Sequence, residues 1–231
     1  MCSLEKRGNI FFLNLNGDDE HRLNPTLIAS LRSALSDAKS QSTRGSVLIT
    51  TAQGKYFSNG MDFKWAQAAA SASASKARPL QTFLELSMPT IPAVTGHTSG
   101  SGLILAMSHD YVLMRGDRGV LYASELDIGM TIPDDYMAFL RSKVVSVAAL
   151  RHLLLRARKI KAEEAVAMGI VHSAHGSVEG TVEAAVRLGD ELGKRKWDGK
   201  VYAEIRKGMY PEIRDIFGLE KNTIVSISSR L

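Results

Sequence analysis

The 231-residue sequence has little cysteine, no long apolar run and no block of like charge. Its single cysteine, Cys2, allows neither a disulfide within the chain nor a zinc site built from cysteines, and it favours a reducing compartment. The longest apolar stretches, 103–107 and 111–114, are far shorter than the roughly 20 residues that span a bilayer. We therefore expect no membrane-spanning helix.

The charge pattern argues against a nucleic-acid-binding protein. The formal net charge is +5, but the basic residues are interspersed with acidic ones, so we expect an anionic ligand rather than a nucleic acid. The charged N-terminal residues lack the apolar core of a signal peptide, and we do not expect secretion. Hydrophobic residues at 45% and charged residues at 23% are typical of a globular domain.

Short β-branched runs alternate with segments of helical apolar spacing. Helices are predicted at 26–38 and 102–108, and strands at 9–15, 46–51, 91–95, 110–114, 120–123 and 170–173. This alternation predicts an α/β domain with a largely parallel sheet. After Gly180 the pattern becomes helical and charged. The Ala/Ser-rich segment 66–77 is either a weakly packed helix or a mobile loop that ligand orders, and we favour the loop.

A glycine segment follows the second predicted strand. Residues 57–63 read F-S-N-G-M-D-F, and Gly60 allows the positive φ or close approach that would present the N–H of Met61 outward. Alone this signal is weak, because most Asn-Gly pairs are simple turns.

A second glycine segment opens a predicted helix. Residues 95–103 read T-G-H-T-S-G-S-G-L, and free N–H groups at such a helix start suit an oxyanion or a phosphate. The spacing is not the G-x-G-x-x-G of dinucleotide-binding loops, so nucleotide phosphate is the less favoured alternative.

An acidic pair lies in an apolar setting at 124–133, S-E-L-D-I-G-M-T-I-P. A lone glutamate there is usually a surface acid or a helix cap. Two glycine segments suited to an oxyanion make Glu125 a candidate base.

In order and spacing, these segments resemble the crotonase (enoyl-CoA hydratase/isomerase) superfamily. The pattern is F-x-x-G-x-D, then G-x-x-x-G-x-G before an apolar helix, then E-x-x-[IL]-G before proline, and 165–171 resembles the later A-x-x-x-G-[IL]-V element. The resemblance implies an α/β crotonase (ClpP-like) fold of repeated ββα units. It also implies a core domain at 1–175, a C-terminal helical trimerisation region at 176–231, and a homotrimer or hexamer.

The resemblance assigns roles position by position. It places the two oxyanion-hole donors on the backbone N–H groups of Met61 and Ser101, and the base on Glu125. The other substrate-binding positions that it implies are Asn59, Gly60, Phe63, Lys64, Gly100 and Ile104. Lys64 either meets coenzyme A phosphates or is solvated, and Phe63 either lines the acyl pocket or belongs to the core.

Ile104 separates two activities of the superfamily. Hydratases carry a second glutamate at this position, whereas one carboxylate suffices to move a double bond. The pattern is most similar to plant peroxisomal 3,2-trans-enoyl-CoA isomerases, which share the opening M-C-x-L-E-K-R. The resemblance therefore implies conversion of 3-enoyl-CoA to trans-2-enoyl-CoA in the β-oxidation of unsaturated fatty acids, with coenzyme A as part of the substrate and no metal or other cofactor.

Several alternatives stay open. Asp134, just after the proline, is a rival base. The alternatives to an isomerase are a hydratase or a thioesterase of the same fold. A further alternative is a catalytically silent interaction or RNA-binding module. His97 and His109 are predicted to be structural. The final Ser229, Arg230 and Leu231 resemble a peroxisomal targeting tripeptide, which predicts the import receptor as a partner and the peroxisome as the location.

Overall fold

The computed structural model describes residues 1–68 and 78–225. Its strands are β1 Cys2–Arg7, β2 Ile10–Leu15, β3 Val47–Ala52, β4 Tyr56–Ser58, β5 Thr90–Val94, β6 His97–Ser99, β7 Leu113–Arg115, β8 Leu121–Tyr122 and β9 Ser173–His175. Its helices are α1 Pro25–Ser40, α2 Phe63–Ala68, α3 Arg78–Glu85, α4 Ser101–Met107, α5 Asp134–Lys143, α6 Val147–Leu150, a π-helical turn Arg151–Leu155, α7 Ala162–Ala167, α8 Val178–Lys194, α9 Gly199–Met209 and α10 Pro211–Ile216.

The main sheet has six strands in the order β1-β2-β3-β5-β7-β9. Only the edge strand β1 runs antiparallel to its neighbour, and the other pairs are parallel. β2, β3 and β5 are almost entirely buried, because one face of the sheet covers the larger hydrophobic core and the other packs against α8. Burial on both faces explains why these strands read as continuous apolar runs rather than alternating ones.

Helix α8 belongs to the main core. Ala184, Ala185 and Leu192 pack with side chains of the sheet, and a Cβ atom at Gly189 would lie 3.4 Å from Cδ1 of Ile10. The predicted boundary between 175 and 176 therefore does not separate two hydrophobic cores. The trimerisation role of 176–231 stays a prediction.

A second, smaller sheet carries the three segments that the sequence singles out. It consists of β4, β6 and β8, all parallel. Residues 59–61, 100–101 and 123–125 directly follow these strands. Because the carboxyl ends of parallel strands meet at one edge, the three segments come together there.

Several predicted elements differ from the structure. The strand predicted at 170–173 is instead β9 at Ser173–His175, since Ile170 and Val171 are buried in the core before the strand begins. Of the segment 66–77, residues 66–68 end α2 and 69–77 lie outside the described residues. The C-terminal tripeptide lies outside them as well. No helix within the two described ranges is long and apolar enough to cross a membrane.

His109 is structural, as predicted. Its ring is buried, Nδ1 lies 2.9 Å from the carbonyl oxygen of Leu105, and Nε2 lies 2.7 Å from Oγ1 of Thr50. Burial lowers its pKa to about 3, so the ring is neutral, donating from Nδ1 and accepting from Thr50.

Arg206 on α9 ties several elements together. Its side chain is 2% exposed, and the guanidinium forms a bidentate ion pair with Asp110. The Nε–Oδ1 and Nη2–Oδ2 distances are 2.7 and 2.6 Å. The same group donates to the carbonyl oxygens of Phe83, Leu86 and Met88 at 3.0, 2.7 and 2.6 Å. The arginine thus satisfies backbone acceptors in the last turn of α3 and just after it, as well as a buried carboxylate.

Candidate active site

The edge where the small sheet ends opens into a cavity of about 720 Å³. The cavity lining comes mainly from the segments after β4, β6 and β8 and from the start of α5, and most of its surface is apolar. Among the predicted site residues, the structure places seven in the lining: Asn59, Gly60, Met61, Phe63, Gly100, Ser101 and Glu125.

The first predicted donor, the N–H of Met61, lies in a loop that is hydrogen-bonded to Leu23, in the segment before α1. Gly60 has φ 81°, a conformation that favours glycine. Its carbonyl accepts from the N–H of Leu23 at 2.7 Å, and the N–H of Asp62 donates to the carbonyl of Leu23 at 3.0 Å. In the described part of the chain, the N–H of Met61 between them has no protein acceptor, so it is available to a ligand.

The second predicted donor begins a helix. Gly100, with φ 50°, precedes α4 and donates to the carbonyl of Tyr122 at 2.9 Å. Ser101 is the first residue of α4, and its N–H finds no acceptor within the described ranges, as expected in the first helical turn. A Cβ atom at Gly60 would lie 3.4 Å from the nitrogen of Ser101, so the two donor segments touch.

Gly102 explains how the donor segments come so close. A Cβ atom there would lie 2.2 Å from the carbonyl oxygen of Ser58, inside any real contact distance. Only glycine lets α4 pack this tightly against β4.

Replacing Gly102 with alanine should therefore push α4 away from β4 and separate the N–H groups of Met61 and Ser101. We expect turnover to fall by about a hundredfold, the usual cost of misplacing catalytic groups by about 1 Å. Steady-state kinetics measure the effect. Gly176→Ala is the matched control, since nothing lies within 4 Å of its added Cβ atom. Unchanged turnover in Gly102→Ala would contradict the role of this contact.

Glu125 faces the second donor. A Cβ atom at Gly100 would lie 3.2 Å from Oε1 of Glu125, which places the carboxylate beside the Gly100–Ser101 peptide. The side chain is half-buried, and burial raises the pKa of its carboxyl. No described cation pairs with it in an ion pair. A carboxylate in this setting is a stronger base than one in water.

The structure does not place the alternative base in the cavity. Asp134 is exposed on the first turn of α5, and Asp135 lines the cavity in its place. Consecutive helical residues project about 100° apart, and burial of Tyr136 fixes which of the two aspartates faces inward. Burial raises the pKa of Asp135 and raises that of Tyr136 to about 12.

Other predicted positions also lie outside the lining. Ile104 is 2% exposed and packs in the hydrophobic core. Lys64 is exposed beyond the cavity, and its predicted contact with coenzyme A phosphates stays a prediction. His97 lies with its ring 5.5 Å from that of Tyr56, consistent with a structural role.

Arg22, Asp135 and Tyr136 line the cavity without having been predicted as site residues. For Arg22 no sequence signal exists, because it lies 37 residues before Asn59, whose carbonyl oxygen it contacts. The burial of Tyr136 depends on how α5 packs against α4.

Residues 5–209 match the family described as enoyl-CoA hydratase/isomerase. The chain is 55% identical to a protein of Arabidopsis thaliana named "Enoyl-CoA delta isomerase 2, peroxisomal", over 95% of this chain and 96% of that one. It is 53% identical to "Enoyl-CoA delta isomerase 1, peroxisomal" of the same plant, over 92% and 91%. An enoyl-CoA hydratase structure from Mycobacterium marinum is similar with a TM-score of 0.81 and 21% identity, covering 93% of each chain. The predicted crotonase fold is confirmed.

Proposed function

The chain belongs to the enoyl-CoA hydratase/isomerase family, and we propose that Glu125, Met61 and Ser101 carry out its conversion of 3-enoyl-CoA to trans-2-enoyl-CoA. Its relatives at 55% and 53% identity are named enoyl-CoA delta isomerases, and the match covers more than nine-tenths of each. This supports an isomerase acting on coenzyme A thioesters in fatty-acid breakdown.

The reaction needs one base and an oxyanion site. The carboxylate of Glu125 removes a proton from C2 of the 3-enoyl thioester, and the electrons spread over the thioester carbonyl and the double bond. The N–H groups of Met61 and Ser101 donate to the resulting oxyanion. Protonated Glu125 then returns the proton to C4, which leaves the double bond between C2 and C3. Only a proton moves, so these steps involve no metal and no redox cofactor.

The observation that carries the proposal is the position of Glu125. Its half-buried carboxylate lies beside the peptide that contains the second donor, in a mostly apolar cavity. The hydratase position is occupied by Ile104, which is buried in the core and cannot hold water.

Hydration of 2-enoyl-CoA is the second candidate activity, because one observation favours it. Asp135 lines the same cavity as Glu125, so two carboxylates face the space that the substrate would fill. A pair of carboxylates can hold and activate a water molecule.

Two incubations test the function. We expect the protein to convert 3-hexenoyl-CoA to the conjugated 2-hexenoyl-CoA, and to hydrate 2-hexenoyl-CoA at least a hundredfold more slowly, because a hydratase relies on a second base worth about that factor. Absorbance of the conjugated thioester follows the first reaction, and chromatography of 3-hydroxyhexanoyl-CoA follows the second. Hydration as fast as isomerisation would contradict the argument from Ile104 and favour the hydratase alternative.

The proposed location is the peroxisome. The Arabidopsis enoyl-CoA delta isomerases 1 and 2 carry that location in their names. We further propose that the tripeptide Ser229, Arg230 and Leu231 binds the import receptor. A homotrimer or hexamer is proposed from the family resemblance.

A fluorescent protein fused ahead of this sequence, with Leu231 as the last residue, should enter peroxisomes. Deleting residues 229–231 should leave the fusion in the cytosol, because the receptor reads a C-terminal address. Microscopy with a peroxisomal marker measures the outcome. The matched control replaces Ser226 and Ser228 with alanine and should still be imported. Import of the truncated fusion would show that the address lies elsewhere.

A further inference from the structure

Arg22 donates hydrogen bonds to the loop that carries the first oxyanion donor. Its Nη1 donates to the carbonyl oxygens of Asn59 and Met61 at 3.4 and 3.3 Å. Its Nε donates to Glu20 at 2.5 Å, and its side chain is 29% exposed and lines the cavity. One guanidinium therefore bridges the carbonyls on either side of Gly60.

The segment that holds Arg22 is itself firmly attached to this loop. The N–H of Asn59 donates to the carbonyl of Glu20 at 2.8 Å. His21, buried with φ 46°, lies with Nδ1 3.0 Å from the carbonyl oxygen of Tyr56, and its own carbonyl accepts from the hydroxyl of Ser58 at 2.8 Å. A non-glycine residue at positive φ is costly and persists only where its surroundings hold it. The position of Arg22 is thus set by the backbone.

The charge of Arg22 lies close to the oxyanion site. Nη1 is 3.3 Å from the oxygen of Met61, and covalent geometry keeps the nitrogen of the same residue within about 4 Å of that oxygen. The guanidinium therefore lies within about 7 Å of the donor nitrogen. The cavity is mostly apolar, and charges interact more strongly there than in water. The carboxylate of Glu20, which pairs with Arg22 at 2.5 Å and is 39% exposed, offsets part of this charge.

We propose that Arg22 is a positioning residue for isomerisation, which orients the N–H of Met61 and places a positive charge beside the enolate oxygen. The inference rests on the proposed function and extends it to a residue outside the three recognised segments. Arg22 acts on the enolate and its donor, not on the ground-state thioester.

The test compares Arg22→Met, Arg22→Gln and Arg22→Lys with the wild-type protein. Arg7→Met is the matched control, because Arg7 also pairs with a glutamate two residues earlier but lies on β1, in the main sheet. We expect Arg22→Met and Arg22→Gln to lower kcat by about tenfold to a hundredfold, less than loss of a whole donor. KM and the Kd for butyryl-CoA should stay within about twofold, since ground-state binding is untouched. Arg22→Lys, which keeps the charge, should recover part of kcat.

A second readout needs no turnover. Acetoacetyl-CoA forms an enolate whose negative charge resembles that of the reaction intermediate, and its absorbance reports the ionised fraction. In Arg22→Met, the pKa of bound acetoacetyl-CoA should rise by about 1, equivalent to a tenfold weaker enolate. This readout separates failure of the inference from failure of the proposed function, because it is measurable even if 3-enoyl-CoA is not turned over.

Two outcomes would overturn the inference. Weaker binding of butyryl-CoA with unchanged kcat would mean that Arg22 holds the coenzyme A part of the substrate. An unchanged enolate pKa in both neutral variants would mean that the guanidinium does not act on the oxyanion. If Arg22→Met does not fold, Arg22→Gln, which keeps a hydrogen-bond donor, decides the question.

Discussion

Replacing Glu125 with glutamine should lower the rate of isomerisation by about a hundredfold to ten-thousandfold, the usual contribution of a general base. Glutamine keeps the size and polarity of the side chain but cannot accept the proton from C2. The substitution leaves the N–H groups of Met61 and Ser101 in place, so we expect binding of butyryl-CoA to persist. Turnover of 3-hexenoyl-CoA and titration with butyryl-CoA measure the two effects separately.

The two controls lie close to Glu125. Asp127→Asn alters an exposed carboxylate of the same loop, which accepts a hydrogen bond from Tyr122, and it should keep near-normal turnover. Asp135→Asn alters the other carboxylate of the cavity. If Glu125→Gln retains activity and Asp135→Asn loses it, the base is Asp135.

The pH dependence follows from the active form of Glu125. A base acts when ionised, and burial raises the pKa of this carboxyl above its ordinary value of 4.5. The rate should therefore fall as pH decreases through that raised pKa, and the decline should begin at a higher pH than for an exposed glutamate. In Glu125→Gln, the residual rate should no longer show this decline at low pH. A decline at low pH that persists in Glu125→Gln would arise from the titration of another group.

Replacing Arg206 with methionine should lower the free energy of unfolding by about 3–5 kcal/mol, the range for breaking a buried ion pair. The substitution leaves Asp110, 10% exposed, without its cation. It also removes the donor from the carbonyl oxygens of Leu86 and Met88. Burial raises the pKa of Asp110, but the charge and hydrogen bonds of Arg206, together with the charge of Lys143 and the N–H of Thr90, outweigh burial and lower the pKa.

Urea unfolding measures this loss. Arg141→Met is the matched control, because Arg141 pairs with Glu212 on the surface, where the side chains are 54% and 37% exposed. Such a pair contributes at most about 1 kcal/mol. The double variant Asp110→Asn with Arg206→Met should recover part of the loss, since the carboxylate of Asp110 is then no longer buried without Arg206. Equal losses in Arg206→Met and Arg141→Met would contradict the structural role of Arg206.

The sequence by itself determined the parts of the site that depend on neighbouring residues. Gly60 allows a backbone conformation that other residues avoid, and Ser101 begins a helix because a glycine bend precedes an apolar run. The main-sheet strands β3 and β5 are buried on both faces, so their positions were predictable to within a few residues, whereas the short strands β4 and β6 were not predicted. The order of these segments carried the resemblance to the crotonase superfamily, and that resemblance implied the fold and, with Ile104, an isomerase.

Only the tertiary structure decided the contacts between segments that are distant in the chain. Arg22 reaches Asn59 across 37 residues, and Arg206 reaches Asp110 across 96. Asp135 rather than Asp134 faces the cavity because α5 is oriented by the packing of Tyr136, which no local pattern encodes. Helix α8 looked separate from the core in sequence, yet it packs across β2, β3, β5, β7 and β9 on one face of the sheet. Adjacent residues determine the local backbone conformation, whereas the direction of a side chain depends on which elements pack against each other.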